Sequence, residues 1–188
     1  MQSVLVLENG SVWEGRSVGA PGQVYGEVVF NTSMIEYQDL LTDAAYSGQI
    51  LTMTYPLIGN YGISTEAFES GLTYPRGLVM GEISSQPSHW RSAGTLSSFM
   101  AEHGVVGICG IDTRALTRML RQEGTMKGTI ATGDVDLNEL QARIAAAPTL
   151  SDQDLVQEAT ISTPFVYHEG DGKRIVVIDL GSKHSILR

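Results

Sequence analysis

The side chains best suited to act as nucleophile, base or soft metal ligand in this chain are one cysteine and four histidines. Cys109 lies within Val105-Val106-Gly107-Ile108-Cys109-Gly110-Ile111. A nucleophilic thiol needs an electropositive, accessible setting or a paired base. This run is apolar and strand-like and carries no histidine, so Cys109 reads as a core residue. His89, His103, His168 and His184 stand at no spacing that puts two ligands on one helix face. Without a second cysteine they read as structural or solvent-facing, and no metal site is expected. Dinucleotide, Walker and G-x-S-x-G patterns are absent.

The chemically dense stretch lies elsewhere. Gly26-Glu27-Val28-Val29-Phe30 reads as a core strand that hands over to Asn31-Thr32-Ser33-Met34, then Tyr37-Gln38, Leu41-Thr42-Asp43 and Tyr46. Hydroxyl, amide and carboxylate groups leaving a strand end suit a binding loop. They suit equally a set of turns whose side chains satisfy their own backbone. On chemistry alone the two readings stand even, and no acid–base pair stands out.

The elements that must position this loop are mostly strands. Val4–Leu7 and Val12-Trp13 flank Asn9-Gly10, which predicts a hairpin on a type I′ turn. Residues 27–30, 49–55, 77–83 and 104–111 read as further strands, rich in β-branched residues. Helices are expected over 95–103, over a segment capped by Asp112 and ended by Gly124, and over 137–147. Residues 160–172 lose all periodicity and read as a linker. Arg174-Ile175-Val176-Val177-Ile178-Asp179-Leu180 then gives an unbroken apolar strand, followed by the turn Gly181-Ser182-Lys183-His184. Such a strand and glycine turn are how a parallel α/β sheet opens.

Composition excludes several classes. The 188 residues are 42% hydrophobic and 18% charged, as in soluble globular proteins. Twelve Lys and Arg against 21 Asp and Glu give a net charge of −9, which argues against nucleic acid as a partner. No apolar run approaches the ~20 residues of a membrane span, and Met1-Gln2-Ser3-Val4 lacks the basic start of a secretory signal. A single cysteine forms no internal disulfide, so a reducing cytoplasm is the expected setting.

The stretch from Gly26 to Met34, with Tyr37-Gln38, Leu41-Thr42-Asp43, Tyr46 and Gln49, resembles the signature of carbamoyl-phosphate synthetase small subunits. Thr54-Tyr55-Pro56-Leu57-Ile58-Gly59-Asn60-Tyr61-Gly62, Gly77-Leu78-Val79 and Ile111-Asp112-Thr113-Arg114-Ala115-Leu116-Thr117-Arg118 continue the similarity in order. Val177-Ile178-Asp179-Leu180-Gly181-Ser182-Lys183 resembles the first strand and turn of that family's amidotransferase domain. The resemblance implies an α/β architecture in two parts. A swivelling β/β/α N-terminal domain would occupy 1–150, a linker 151–172, and the opening of a class I glutamine amidotransferase sheet 173–188, with the chain ending inside it.

The resemblance further implies glutamine hydrolysis by a cysteine on a strand-to-helix elbow, helped by a histidine and a glutamate. Ammonia would pass through a tunnel to a large subunit, which makes carbamoyl phosphate from bicarbonate and two ATP for arginine and pyrimidine synthesis. By that resemblance the catalytic residues lie beyond Arg188, and this portion is inactive alone. It would serve as scaffold, docking surface for the large subunit and one wall of the glutamine site. No cofactor is expected in this chain; ATP and magnesium belong to the large subunit.

Two departures bear on the site. The family usually has Thr-Gly where this chain has Ile35-Glu36, and a glycine there suits a positive φ. The family has Asp-Pro-Ser-Tyr where this chain has Asp43-Ala44-Ala45-Tyr46. The family serine belongs to the glutamine-binding set, so Ala45 occupies a binding position without its hydroxyl. By the same resemblance Ser47, two residues on and not the matched position, would be a substitute donor, and Asp43 would face the large-subunit and tunnel side. The rival reading is a non-catalytic docking module of the same fold.

Overall fold

The computed structural model describes residues 1–188. Strands β1 (Gln2–Leu7), β2 (Val12–Gly19), β3 (Gln23–Asn31) and β4 (Gln49–Met53) are followed by the short β5 (Leu57–Ile58). After them come β6 (Gly77–Met80), the short β7 (Glu82–Ile83), β8 (Val106–Cys109) and β9 (Met126–Thr132). Seven of the nine close into a barrel in the order β1-β2-β8-β6-β4-β3-β9, while β5 and β7 pair separately. β3, β4, β6 and β8 run parallel to their neighbours in that series. β2 pairs antiparallel with β1 and β8, and β9 closes the ring antiparallel to β1 and β3. The architecture is mixed α/β around a closed sheet.

Pleating sorts the side chains. Leu5, Leu7, Val28, Ile50, Val79, Ile108 and Ile130 are fully buried and, with Val106, form one cluster contributed by six strands. Each such side chain contributes roughly 1.5–3 kcal/mol on full burial. Helix α3 (Thr113–Glu123) adds Leu116 and Leu120 to this cluster. The opposite face of β4, β6 and β8 carries Leu51, Met53, Leu78, Met80 and Cys109. It packs against Leu96, Phe99 and Met100 of α2 (Leu96–Glu102) and against Tyr37 and Leu41 of α1 (Tyr37–Leu41). These strands are buried on both faces, which is why they read as continuous apolar runs. Helix α4 (Leu137–Ala146) covers Val6 and Ala131 with Leu140 and Ile144.

Helix starts follow their caps. Thr95 accepts from Ser98 N–H, Asp112 from Ala115 N–H and Asp136 from Asn138 N–H, each satisfying a first-turn donor. In the strands, Gly26 is demanded by packing. A Cβ there would lie 2.5 Å from Gly48 O, where β3 meets the entry to β4.

Several expectations need correction. The first hairpin is not closed by a type I′ turn. Only Gly10 has positive φ (86°), and its N–H donates to Leu7 O, so Glu8, Asn9 and Gly10 form a longer loop ended by one left-handed glycine. The expected strand over 77–83 divides at Gly81 into β6 and β7. The strand over 49–55 stops at Met53, and that over 104–111 narrows to Val106–Cys109. The run Arg174–Leu180 forms no ladder, with Ile175 85% and Ile178 83% exposed. A strand exists only by bonding a neighbour, and these 188 residues place none beside it. The stretch expected as linker begins with two ordered turns, Leu150–Asp152 and α5 (Leu155–Ala159), whose Leu150 and Leu155 lie against Gly48. Strand β9 lies outside the stretches whose sequence reads as strand.

Candidate functional site

The polar stretch leaving β3 is bonded partly within itself and partly to the segment 61–70. Asn31 Oδ1 accepts Ser33 N–H (2.7 Å), and its Nδ2 donates to Tyr46 Oη (2.8 Å). Gln38, fully buried, accepts Ser64 N–H at Oε1 (2.8 Å) and donates to Ser64 O. Thr42 Oγ1 donates to Gln38 O (3.1 Å) and accepts Glu69 N–H (2.9 Å). The turn-building reading therefore accounts for most of these side chains. What they build is a short loop of which only the crest is exposed.

That loop runs from Asp43 to Ser47. Asp43, 6% exposed, caps the 3-10 turn Ala44–Tyr46 by accepting Ala45 N–H at 3.0 Å. Ala45 is exposed at its crest. Ser47 is buried, and its hydroxyl has no hydrogen-bond partner. To serve as a substitute donor it must rotate out from its present position. Asp43, Ala45 and Ser47 thus share one turn, with Ala45 outward and Ser47 inward.

The far end of the chain completes the surroundings. Lys183 forms an ion pair with Asp43. The hydrogen bond to Asp43 raises the Lys183 pKa above the ordinary lysine value, outweighing partial burial. Asp179 Oδ1 accepts the N–H groups of Gly181 (2.8 Å) and Ser182 (3.1 Å), folding the backbone toward the loop. Gly181 has φ 104°, and a Cβ there would lie 2.8 Å from Ala44 Cβ. Glycine is required on both counts. Sequence reasoning placed Gly181 and Lys183 in a turn but not at this loop, because nothing in their spacing points to a partner so distant in the chain.

Below the loop, Glu36 has φ 77°, the one non-glycine residue in the left-handed region. Its N–H donates to Tyr61 Oη (3.0 Å), and Ser33 Oγ donates to its carboxylate (3.1 Å). The Tyr61 ring stacks on Tyr37 at 4.2 Å, and burial pushes its phenol up to about 12. Burial raises Tyr37 as well, and that hydroxyl donates to Gly62 O at 2.6 Å. These bonds hold Glu36 in the conformation a glycine adopts freely. Met34 and Ile35, beside it, are 66% and 58% exposed.

Cys109 is buried in the core. His103 Nδ1 lies 2.9 Å from Phe99 O, and His89 stacks on Trp90. No three His, Cys, Asp or Glu residues converge as metal ligands, and no helix is long and apolar enough to cross a membrane. A separate polar crevice of about 360 Å³ opens where β6 and β8 end, lined by Thr54, Glu82, Asp112 and Arg114.

Strand β3 of the closed barrel thus runs into the Asp43–Ser47 loop, on which the segment carrying Gly181 and Lys183 is docked. Residues 5–130 match the family "Carbamoyl-phosphate synthase small chain, CPSase domain". The chain is 46% identical over 189 residues to the carbamoyl phosphate synthase pyrimidine-specific small chain of Halalkalibacterium halodurans, covering 100% of this chain and 51% of that one. It is 46% identical over 188 residues to the protein of the same name from Bacillus subtilis (100% and 51%). It is 44% identical over 205 residues to the carbamoyl phosphate synthase small chain of Nitratidesulfovibrio vulgaris strain Miyazaki F (100% and 54%). The chain belongs to the carbamoyl-phosphate synthase small chain family. It spans about half the length of the curated relatives it matches.

Proposed function

We propose that this chain is the N-terminal part of the glutamine-using subunit of a carbamoyl-phosphate synthase. The observation that carries the reading is the family match over residues 5–130, which contains the whole Asp43–Ser47 loop. On this reading residues 1–150 are the swivelling β/β/α domain, and 173–188 open a class I amidotransferase sheet. The exposed run Ile175–Ile178 supports that division, since four consecutive β-favouring residues left in water suit a strand awaiting neighbours. Glutamine is hydrolysed on the amidotransferase side. Ammonia is handed to a large subunit that consumes bicarbonate and ATP in the cytoplasm, for pyrimidine and arginine synthesis. Channelling has a physical reason, because ammonia released into water protonates and is lost as a nucleophile.

Ala45 then lines the glutamine site without the hydroxyl that the family resemblance implies there, and Asp43 faces the tunnel side. A neutral hydrogen bond contributes roughly 0.5–1.5 kcal/mol, on the order of a two- to twelvefold change in affinity. In the full-length protein with its large subunit, Ala45→Ser lowers the glutamine KM within that range. The ammonia KM stays unchanged, because ammonia bypasses the glutamine site. Ser47→Ala measured alongside reports whether the buried hydroxyl contributes. A glutamine KM unmoved by twofold in both variants removes this loop from the site.

A further inference from the structure

Glu69 makes three bonds that join two distant parts of the chain. Its N–H donates to Thr42 Oγ1 at 2.9 Å, next to the Asp43 loop. Its carbonyl accepts His184 N–H at 2.8 Å, and its carboxylate accepts Ser185 N–H at 3.0 Å. Both of the last two donors belong to the first turn of α6 (His184–Leu187), where N–H groups have no partner within the helix. Lys183, the residue at the N-cap, supplies no side-chain acceptor. Glu69 supplies the missing acceptors from a different element.

The neighbours reinforce the join. Ser70 Oγ donates to Thr42 O (2.9 Å), so the Glu69 loop grips Thr42 twice. Arg188 donates to Glu66 O (3.1 Å), and Lys183 reaches Asp43 from the same short segment. Partial burial opposes ionisation of Glu69, but the hydrogen bonds from Ser185 and the charges of Lys183 and Arg188 outweigh it and lower its pKa. An acceptor of two α6 donors that also holds Thr42 fixes where Lys183 and Gly181 meet the loop.

We infer that Glu69 is a positioning residue, clamping the segment 181–188 onto the Asp43 loop and thereby setting the wall on which Ala45 stands. Its functional consequence rests on the glutamine-site reading above; the clamp itself does not. Glu69→Gln keeps an acceptor for Ser185 N–H and loses the charge that attracts Lys183 and Arg188. Glu69→Ala loses both. Gly181→Ala attacks the same joint from the other side, by forcing a methyl group onto Ala44.

The experiment uses the full-length protein with its large subunit and reads two quantities. Amide exchange at Ser185 reports the clamp, and the glutamine KM beside the ammonia KM reports its consequence. Glu69→Ala speeds Ser185 exchange about two- to twelvefold, the worth of one hydrogen bond. It raises the glutamine KM by a similar factor with the ammonia KM unmoved, while Glu69→Gln gives a smaller change in both. Gly181→Ala reproduces the split. Unchanged Ser185 exchange in Glu69→Ala overturns the clamp. Faster exchange with an unmoved glutamine KM, or equal loss of glutamine- and ammonia-dependent synthesis, overturns the positioning role. A wild-type protein without glutamine-dependent synthesis refutes the functional reading instead, and Ser185 exchange then decides the clamp alone.

Discussion

Ile130 in β9 and Ile178 in the C-terminal run are the same residue in stretches of similar β propensity, yet one is fully buried and the other 83% exposed. The difference is neighbours. Ile130 pairs with Leu5 on one side and Val24 on the other. Ile178 has no ladder partner on either side. Apolar content decides how much a strand gains from burial, but only a partner strand turns that content into structure. The two regions also attach differently. The barrel is held by shared apolar clusters, whereas the segment 179–188 is held to it mainly by hydrogen bonds and one ion pair.

The sharpest test of this contrast is a matched pair of truncations. Ile130→Ala removes a fully buried side chain from the cluster that also holds Leu5 and Ile50, at a cost of about 2–5 kcal/mol. At roughly 2–4 °C per kcal/mol for a chain of this size, the Tm falls by about 4–20 °C. Ile178→Ala in the same 188 residues changes stability by less than about 0.5 kcal/mol. In the full-length protein, where we assign this run to a sheet, Ile178→Ala costs as much as Ile130→Ala. Thermal unfolding of both variants in both lengths decides it, and equal costs in the short chain break the comparison.

The second test separates the two kinds of attachment by pH. Glu69 is held below its ordinary value of 4.5, so its contribution to docking is complete above the unfolded value and fades as pH falls through the folded one. Lys183 is held above its ordinary value of 10.5, so its contribution is complete below that value and is lost as pH rises through the folded one. Asp39 and Arg188 also face Glu69, and Tyr46 faces Lys183; burial chiefly raises Asp39, with the charges of Glu69 and Glu36 adding to it. Protection of the Ser185 amide is therefore flat between these limits and falls first on the acid side. Protection of Ile130 stays at its plateau where Ser185 has already lost some. Parallel loss at both positions shows that the segment and barrel open together.

The smallest effect lies at Glu36. Holding a non-glycine residue in the left-handed region costs about 1–2 kcal/mol, and the greater freedom of glycine in the unfolded chain offsets about 0.5–1 kcal/mol of the relief. Glu36→Gly also gives up the exposed contact from Ser33. A net stabilisation of about 0.5 kcal/mol, or roughly 1–2 °C in Tm, is expected. A lower Tm shows that the Ser33 contact outweighs the strain.

Strands β3, β4, β6 and β8 were legible in the sequence because burial on one or both faces leaves a dense apolar signature. Strand β9 was not. Lys127, Gly128 and Thr129 dilute its pattern, and its partners in β1 and β3 lie about a hundred residues or more away, so closure of the barrel left no local mark. The helix caps Thr95, Asp112 and Asp136 are local, each bonding a backbone N–H within three residues, and such caps leave a mark in the sequence. For the candidate site, the chemistry of residues 31–46 left binding and turn-building equally open. Resemblance alone singled out Ala45. Glu69 was missed because Glu66-Ala67-Phe68-Glu69-Ser70 shows no periodicity and its bonds run to Thr42 and Ser185.

Closure of the barrel through β9 also sets a schedule for the nascent chain. Ser3 Oγ donates to Ala131 O across a separation of 128 residues, and β1 pairs with β9 along its length. At ~5–20 residues per second, β1 waits roughly 6–26 s after its own synthesis before β9 exists to pair with it. Until then β2 is its sole neighbour, with its other edge open to any extended chain nearby. Once β9 has emerged the ring can shut, before the exposed run at 175–178 is synthesised. The two stretches most prone to wrong pairing are thus presented one after the other.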